Sequence, residues 1–118
     1  MATILIIDDE PLILSNMAEL LEFEGFTVLT SLDGEDALPI IFERRIDLIL
    51  CDMLMQTLNG FQILKAVRNN PATVHLPFVF VTAVKWDEEV ETGATGYVYK
   101  PFQNDELLDV VRQQLGMF

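Results

Sequence analysis

Cysteine, histidine and tryptophan each occur once in this chain, and basic residues are few. A single cysteine, Cys51, excludes a framework of disulfide bonds and agrees with a reducing cytoplasm as the setting. With only His75 beside it, there is no set of His and Cys ligands for zinc. Cys51 stands in an apolar run and His75 in a loop flanked by prolines. We therefore expect a buried, unreactive thiol and an exposed imidazole.

Positive charge is scarce, with 7 lysines and arginines against 19 aspartates and glutamates and a net charge of −12. Nucleic-acid binding needs clustered lysines and arginines, so we expect neither DNA nor RNA as a direct partner. For the same reason we do not expect binding to an anionic membrane surface. No run of 18 or more apolar residues is present, and the start MATILIIDDE has no basic leader. These features predict that the chain has no membrane span and no signal peptide.

The chain has 118 residues without a repeat or a Gly/Ser-rich linker, which predicts a single domain over residues 1–118. Five short apolar runs alternate with helix-like stretches along it. The runs cover residues 4–7, 26–30, 47–51, 78–81 and 97–99. Several lack a polar–apolar alternation, which is typical of parallel strands covered on both faces.

Helices are predicted in the stretches between these runs. The first begins at Pro11 and stops before Gly25, and others cover residues 34–44 and 60–69. A short acidic fourth helix is predicted at residues 86–92, and Asn104 is placed as the cap of a fifth. This alternation predicts a (βα)₅ fold, a doubly wound parallel sheet with right-handed connections. Ligands of such folds bind beyond the carboxyl ends of the strands.

Polar residues follow the strands at that edge. Asp8 and Asp9 follow the first strand, Asp52 the third, Thr82 the fourth and Lys100 the fifth. Three clustered aspartates repel one another unless a cation lies among them, and oxygen ligands suit Mg²⁺ better than zinc. A carboxylate beside a metal, an ammonium and a hydroxyl points to phosphoryl chemistry, with the carboxylate as the nucleophile.

Four segments in this order resemble the receiver domains of bacterial two-component response regulators. They are ILIIDDE at 4–10, DLILCDMLMQTLNGFQIL at 47–64, PFVFVTA at 77–83 and GATGYVYKPF at 93–102. The resemblance extends over essentially the whole chain. It implies a flavodoxin-like sheet with strand order 2-1-3-4-5.

The resemblance also implies roles for individual residues. Asp52 resembles the phospho-acceptor. Asp9 would bind Mg²⁺ directly together with Asp52, Asp8 would bind it through water, and the backbone carbonyl of Leu54 would supply a further ligand.

Three further residues match functional positions of the family. Thr82 would bond a phosphoryl oxygen, Lys100 would pair with the phosphoryl group, and Tyr97 resembles the aromatic residue that turns inward when the domain switches. The bond between Lys100 and Pro101 is expected to be cis, which only a following proline makes plausible.

The family implies a histidine kinase or a histidine phosphotransfer protein as the phosphodonor, and a downstream protein as the target. It implies no enzyme in the ordinary sense, only self-phosphotransfer and self-dephosphorylation.

Three departures from the family pattern bear on function. Gln56 stands where proline is usual, and Asn59 replaces an aspartate. The 17 residues between Thr82 and Lys100 are about one helical turn fewer than usual, so the fourth helix should be short. Leu54 and Val84 cannot orient an attacking water, so we expect slow self-dephosphorylation.

Three alternatives remain beside this interpretation. A Mg²⁺-dependent phosphatase with an aspartate nucleophile would need an acid at the position of Leu54. A flavin or nucleotide binder would need a Gly- or Ser/Thr-rich loop after the first strand, where this chain has Asp-Asp-Glu-Pro. A receiver-like scaffold that is never phosphorylated would leave a costly cluster of charges without a ligand.

Overall fold

The computed structural model of the protein describes residues 1–117. It contains five strands: β1 (Thr3–Ile7), β2 (Thr27–Ser31), β3 (Leu48–Cys51), β4 (Phe78–Thr82) and β5 (Gly96–Tyr99). All neighbouring strands pair in parallel, in the order β2-β1-β3-β4-β5. The predicted sheet order is confirmed, and each strand overlaps one of the five apolar runs.

Helices connect the strands or follow the last of them: α1 (Pro11–Phe23), α2 (Gly34–Glu43), α3 (Gly60–Arg68) and α4 (Asn104–Gln114). They confirm the predicted helices at four of the five places. Asn59 caps α3 by accepting from the backbone N–H of Gln62, whose side chain accepts from the N–H of Asn59 in return. The replacement of the usual aspartate by Asn59 therefore leaves this helix capped.

The core lies in two layers, one on each face of the sheet. Ile4 and Ile6 of β1 face the layer under α1 and α4, whereas Leu5 and Ile7 face the layer under α2 and α3. These four side chains are fully buried. Because neighbouring strand residues point to opposite faces, a strand buried on both must be apolar throughout. This is why the run at residues 4–7 shows no alternation.

The segment between β4 and β5 contains no helix in the described structure, so the prediction of a fourth helix at residues 86–92 was wrong. We call residues 83–95 the strap. Its local backbone bonding includes a single turn, closed by the N–H of Val90 on the carbonyl of Asp87 at 3.0 Å. A turn of this kind does not propagate into a helix.

Tertiary contacts hold the strap in this form. The indole of Trp86 packs on the ring of Phe61 from α3, with centroids 5.1 Å apart. The hydroxyl of Tyr99 lies 3.3 Å from the carbonyl of Trp86 and 2.8 Å from the carboxylate of Glu88. These contacts override the helical tendency of the acidic sequence, since propensity is a weak preference.

The start of α4 also differs by one residue from the prediction. Gln103 occupies the cap position, and Asn104 is the first residue of the helix. The backbone N–H of Gln103 donates to the carboxylate of Glu106 at 3.4 Å. Among the described residues, no helix is long and apolar enough to cross a bilayer.

Candidate functional site

The residues predicted from the strand ends meet at one rim of the sheet. Asp8 and Asp52 follow β1 and β3, Thr82 ends β4, and Lys100 follows β5. The ammonium of Lys100 donates to the carboxylates of Asp8 at 2.7 Å and Asp52 at 3.2 Å. Lys100 is thereby joined to a residue 92 positions earlier in the chain and to another 48 positions earlier. The parallel sheet makes this possible because all its carboxyl ends lie at the same edge.

Three aspartates form a cluster beside Lys100. Asp8, Asp9 and Asp52 each offer one carboxylate oxygen, and these oxygens lie within 4.8 Å of one another. Asp8 and Asp52 are buried, whereas Asp9 is half-buried and open to solvent. An all-oxygen donor set on an open rim suits Mg²⁺, which keeps several of its waters when it binds a protein. The residues present therefore fit this metal.

The protonation of the site follows from burial and charge. Burial raises the pKa of Asp52, and the charge of Asp8 adds to this increase, while Lys100 acts in the opposite direction. Burial lowers the pKa of Lys100, but its hydrogen bonds and charge pairing with Asp8 and Asp52 leave that pKa raised overall. Burial, followed by the charges of Asp52 and Asp8, raises the pKa of the Cys51 thiol well above its ordinary value. Cys51 is therefore a neutral, buried group beneath the rim.

Thr82 and Tyr97 lie on the side of the site that leads to the strap. The hydroxyl of Thr82 is buried and accepts the N–H of Val84 at 3.1 Å. The hydroxyl of Tyr97 is hydrogen-bonded to that of Thr92 at 2.8 Å, and its ring lies 5.9 Å from Phe80. Tyr97 is thus tied both to the core and to the strap.

The loop between β3 and α3, residues 53–59, follows Asp52 directly. Leu54 is 61% exposed within it, and Thr57 has a positive φ of 63°. The loop is closed at its base by the N–H of Gly60 on the carbonyl of Met53 at 2.9 Å. A Cβ on Gly60 would overlap the carbonyl oxygen of Asp52, so only glycine permits this approach.

Two further features concern Lys100, its peptide bond to Pro101 and the acid Glu10 near its ammonium. The peptide bond between Lys100 and Pro101 is cis. The carboxylate of Glu10 lies 3.8 Å from the ammonium while its side chain is 58% exposed, so this acid is a peripheral neighbour.

Sequence reasoning missed one residue of the rim, Ser31 at the end of β2. Its carbonyl accepts the backbone N–H of Asp8 at 3.1 Å, and its side chain is buried. The strand-end rule that found the other residues applies equally to β2. Ser31 is the residue it would have named.

Comparisons with known proteins agree on one family. The family model described as the response regulator receiver domain matches residues 4–112. The transcriptional regulatory protein CpxR of Escherichia coli is 39% identical over 116 residues, which are 95% of this chain and 48% of that protein. The chain thus spans about half the length of this relative.

Solved structures give the same result. The chemotaxis response regulator CheY4 of Vibrio cholerae has a TM-score of 0.91 and 32% identity, with 98% of this chain and 99% of that chain covered. The response regulator TrrA of Thermotoga maritima, described as a complex with Mg²⁺–BeF, has a TM-score of 0.89 and 31% identity, covering 98% and 100%. Sequence, fold and strand-end residues therefore agree: this chain belongs to the response regulator receiver domain family and has its place in two-component signalling.

Proposed function

We propose that Asp52 accepts a phosphoryl group in a reaction that depends on Mg²⁺. The observation that carries this proposal is the position of its carboxylate. It lies 3.2 Å from the ammonium of Lys100 and within 4.8 Å of oxygens from Asp8 and Asp9. A nucleophile between a fixed cation and a set of metal ligands is the arrangement that phosphoryl transfer needs.

The metal ligands are assigned from the family positions that these residues match. Asp9 and Asp52 would hold Mg²⁺ directly, Asp8 would hold it through water, and the carbonyl of Leu54 would add a neutral oxygen. When bound, Mg²⁺ neutralises charge on the oxygens of the transferring group. That TrrA is described as a complex with Mg²⁺–BeF supports the assignment of this metal.

The transfer is an in-line substitution at phosphorus. A carboxylate oxygen of Asp52 forms the new P–O bond while the P–N bond of a phosphohistidine breaks, and the imidazole nitrogen leaves with the electron pair. Lys100 pairs with one phosphoryl oxygen and the hydroxyl of Thr82 donates to another. A raised pKa makes Lys100 a cation at every physiological pH.

A histidine kinase or a histidine phosphotransfer protein is the proposed donor, and a second protein in the cytoplasm is the proposed target. The new charge draws Thr82 toward the phosphoryl group, which breaks its bond with the N–H of Val84. Tyr97 then turns inward and gives up its bond with Thr92. The surface of the strap changes as a result, and the population shifts toward a partner-binding form.

Intact mass spectrometry tests the acceptor. The protein is incubated with Mg²⁺ and acetyl phosphate, in parallel with Asp52→Asn and, as a matched control, the exposed Asp109→Asn. We expect one added phosphoryl group on the wild type and the control and none on Asp52→Asn. A wild type that binds Mg²⁺ but gains no mass would instead support the alternative of a scaffold without phosphorylation.

A further inference from the structure

The turn between β2 and α2, taken here with its flanking residues as residues 31–34, lies against both halves of the site without containing any of its ligands. A hydrogen bond joins it to the backbone of Asp8, and Gly34 approaches Leu58 of the loop 53–59 too closely for a Cβ to fit between them. Asp8 comes from β1 and the loop from the end of β3, so the turn spans two separate parts of the rim.

The first contact is a hydrogen bond shielded from water. The carbonyl of Ser31 accepts the N–H of Asp8 at 3.1 Å. The hydroxyl of Ser31 in turn donates to the carbonyl of Asp33 at 2.8 Å, and the side chain is 6% exposed. Asp33 caps α2 by accepting the N–H of Asp36 at 2.8 Å. The backbone of Asp8 is thereby linked to the first turn of α2.

The second contact is steric. A Cβ placed on Gly34 would lie 2.7 Å from the Cβ of Leu58 and 2.8 Å from its carbonyl oxygen. The nearby end of Ile63, at 2.9 Å, can rotate away, but the Leu58 atoms move only with the loop backbone. The loop 53–59 is closed at its base and carries the exposed Leu54. Because this loop is short and closed, any shift of Leu58 must displace other residues of the loop.

We propose that this turn is a brace that sets the spacing between Asp8 and the loop 53–59, with Ser31 and Gly34 as positioning residues for the metal. The inference rests on the proposed function, since the ligands it positions are Asp8 and the carbonyl of Leu54. Mg²⁺ requires near-ideal octahedral geometry at about 2.0–2.1 Å, so a displacement of a few tenths of an ångström in one ligand weakens binding.

The variant Gly34→Ala tests the brace, and Gly96→Ala is its matched control. Gly96 lies at the far end of β5, where a new Cβ would meet only side chains, Gln114 at 3.1 Å and Val79 at 3.3 Å. Mg²⁺ affinity is measured by calorimetry, and backbone amide shifts are recorded in metal-free protein. We expect Gly34→Ala to weaken Mg²⁺ binding about fivefold, which is below the usual range for residues that hydrogen-bond directly to metal ligands. We also expect it to change the backbone amide chemical shifts of residues 53–59. Gly96→Ala should do neither.

Ser31→Ala is the second variant and keeps the test decisive if Gly34→Ala does not fold. It removes the hydroxyl bond to Asp33 while keeping the carbonyl that Asp8 uses. We expect Mg²⁺ binding to weaken about threefold, as for a weakly coupled outer partner. Wild-type affinity in a folded Gly34→Ala, or in Ser31→Ala if that variant alone folds, overturns the brace.

The proposed function fails separately. A wild type without phosphorylation or Mg²⁺ binding contradicts the function, and the metal-free amide shifts still decide whether Gly34 positions the loop.

Discussion

Asp52 lies beside two aspartates and one lysine, so opposing influences act on its charge. Burial comes first and raises its pKa, Asp8 adds to this, and Lys100 counters both. The folded protein therefore binds the Asp52 proton more tightly than the unfolded chain does. As pH rises above the ordinary value of 3.8 toward the raised one, this group makes the free energy of unfolding fall.

Asp52→Asn should accordingly stabilise the metal-free protein at pH 7, by up to about 1 kcal/mol, an ordinary size for a single substitution. The gain should shrink as pH approaches the ordinary value of 3.8, where the wild-type carboxyl is protonated in the folded state. Urea unfolding in the presence of a chelator measures the difference at both pH values. An asparagine variant less stable than wild type at pH 7 would show that the pairing with Lys100 prevails over burial.

Leu54 and Val84 are 61% and 36% exposed, and their side chains have no hydrogen-bonding group. We expect Val84→Glu or Leu54→Asn to shorten the lifetime of phosphorylated Asp52 about tenfold, because either polar side chain can orient the attacking water by a hydrogen bond, and glutamate can also accept its proton. The measurement is the loss of phosphoryl mass with time. Val90→Glu, on an exposed residue of the strap, is the matched control and should leave the lifetime unchanged. Unchanged lifetimes in both site variants would contradict the hypothesis of slow self-dephosphorylation.

At the scale of elements, the strap is ordered by side chains rather than by its own backbone. The packing of Trp86 on Phe61 is one of its apolar contacts. Removing one of these side-chain contacts should therefore loosen the strap locally.

Phe61→Ala should release the strap while the sheet stays folded. We expect amide hydrogen exchange to become about tenfold faster over residues 84–95, equivalent to about 1.4 kcal/mol of lost local stability. The exchange of β4 should change less. Phe23→Ala is the control, since the side chain of Phe23 is 87% exposed. Equal exchange in both variants would show that the packing of Trp86 does not order the strap.

The strands and four helices could be predicted because each is specified by local pattern, as in the buried run at residues 4–7, the cap at Asn59 or the first-turn position of Pro11. The strap could not, since its acids indicate a helix, and contacts with residues outside it, such as Phe61 and Tyr99, explain its actual form. The same holds for Arg68, whose guanidinium donates to the carbonyls of Gly93, Val74 and Leu76. Contacts between distant segments leave no local pattern.

The candidate site was predictable for a different reason. Its residues are placed by the ends of parallel strands, so knowing the strands gives the site. The gathering of Asp8, Asp52 and Lys100 follows from that rule alone. The contact between Gly34 and Leu58 does not, because it depends on how closely α2 approaches a loop.

For the whole molecule, the distribution of charge argues against an assembly held by ion pairs. After Thr82 the bases are Lys85, Lys100 and Arg112. Lys100 is engaged in the site, and Arg112 pairs with Glu24 at 2.7 Å within the same chain. Among the basic residues after Thr82 in the described structure, these pairings leave Lys85 alone available to pair with another copy.

Phosphorylation should therefore leave the protein monomeric in sedimentation velocity at micromolar concentration. Added phosphoryl charge makes a net charge of −12 more negative and increases repulsion between copies. A strong dimer that forms on phosphorylation and dissociates in high salt would contradict this prediction.

The bond between Lys100 and Asp8 joins residues 92 positions apart, and this has a consequence for synthesis. A nascent chain exposes Asp8, Asp9 and Asp52 well before Lys100 leaves the ribosome, since domains emerge from their N-terminal end. In that interval the three acids have no lysine to balance them, and their repulsion opposes the pairing of β1 with β3. Lys100, which follows the last strand, thus supplies the positive charge that offsets the repulsion between the acids at the ends of β1 and β3.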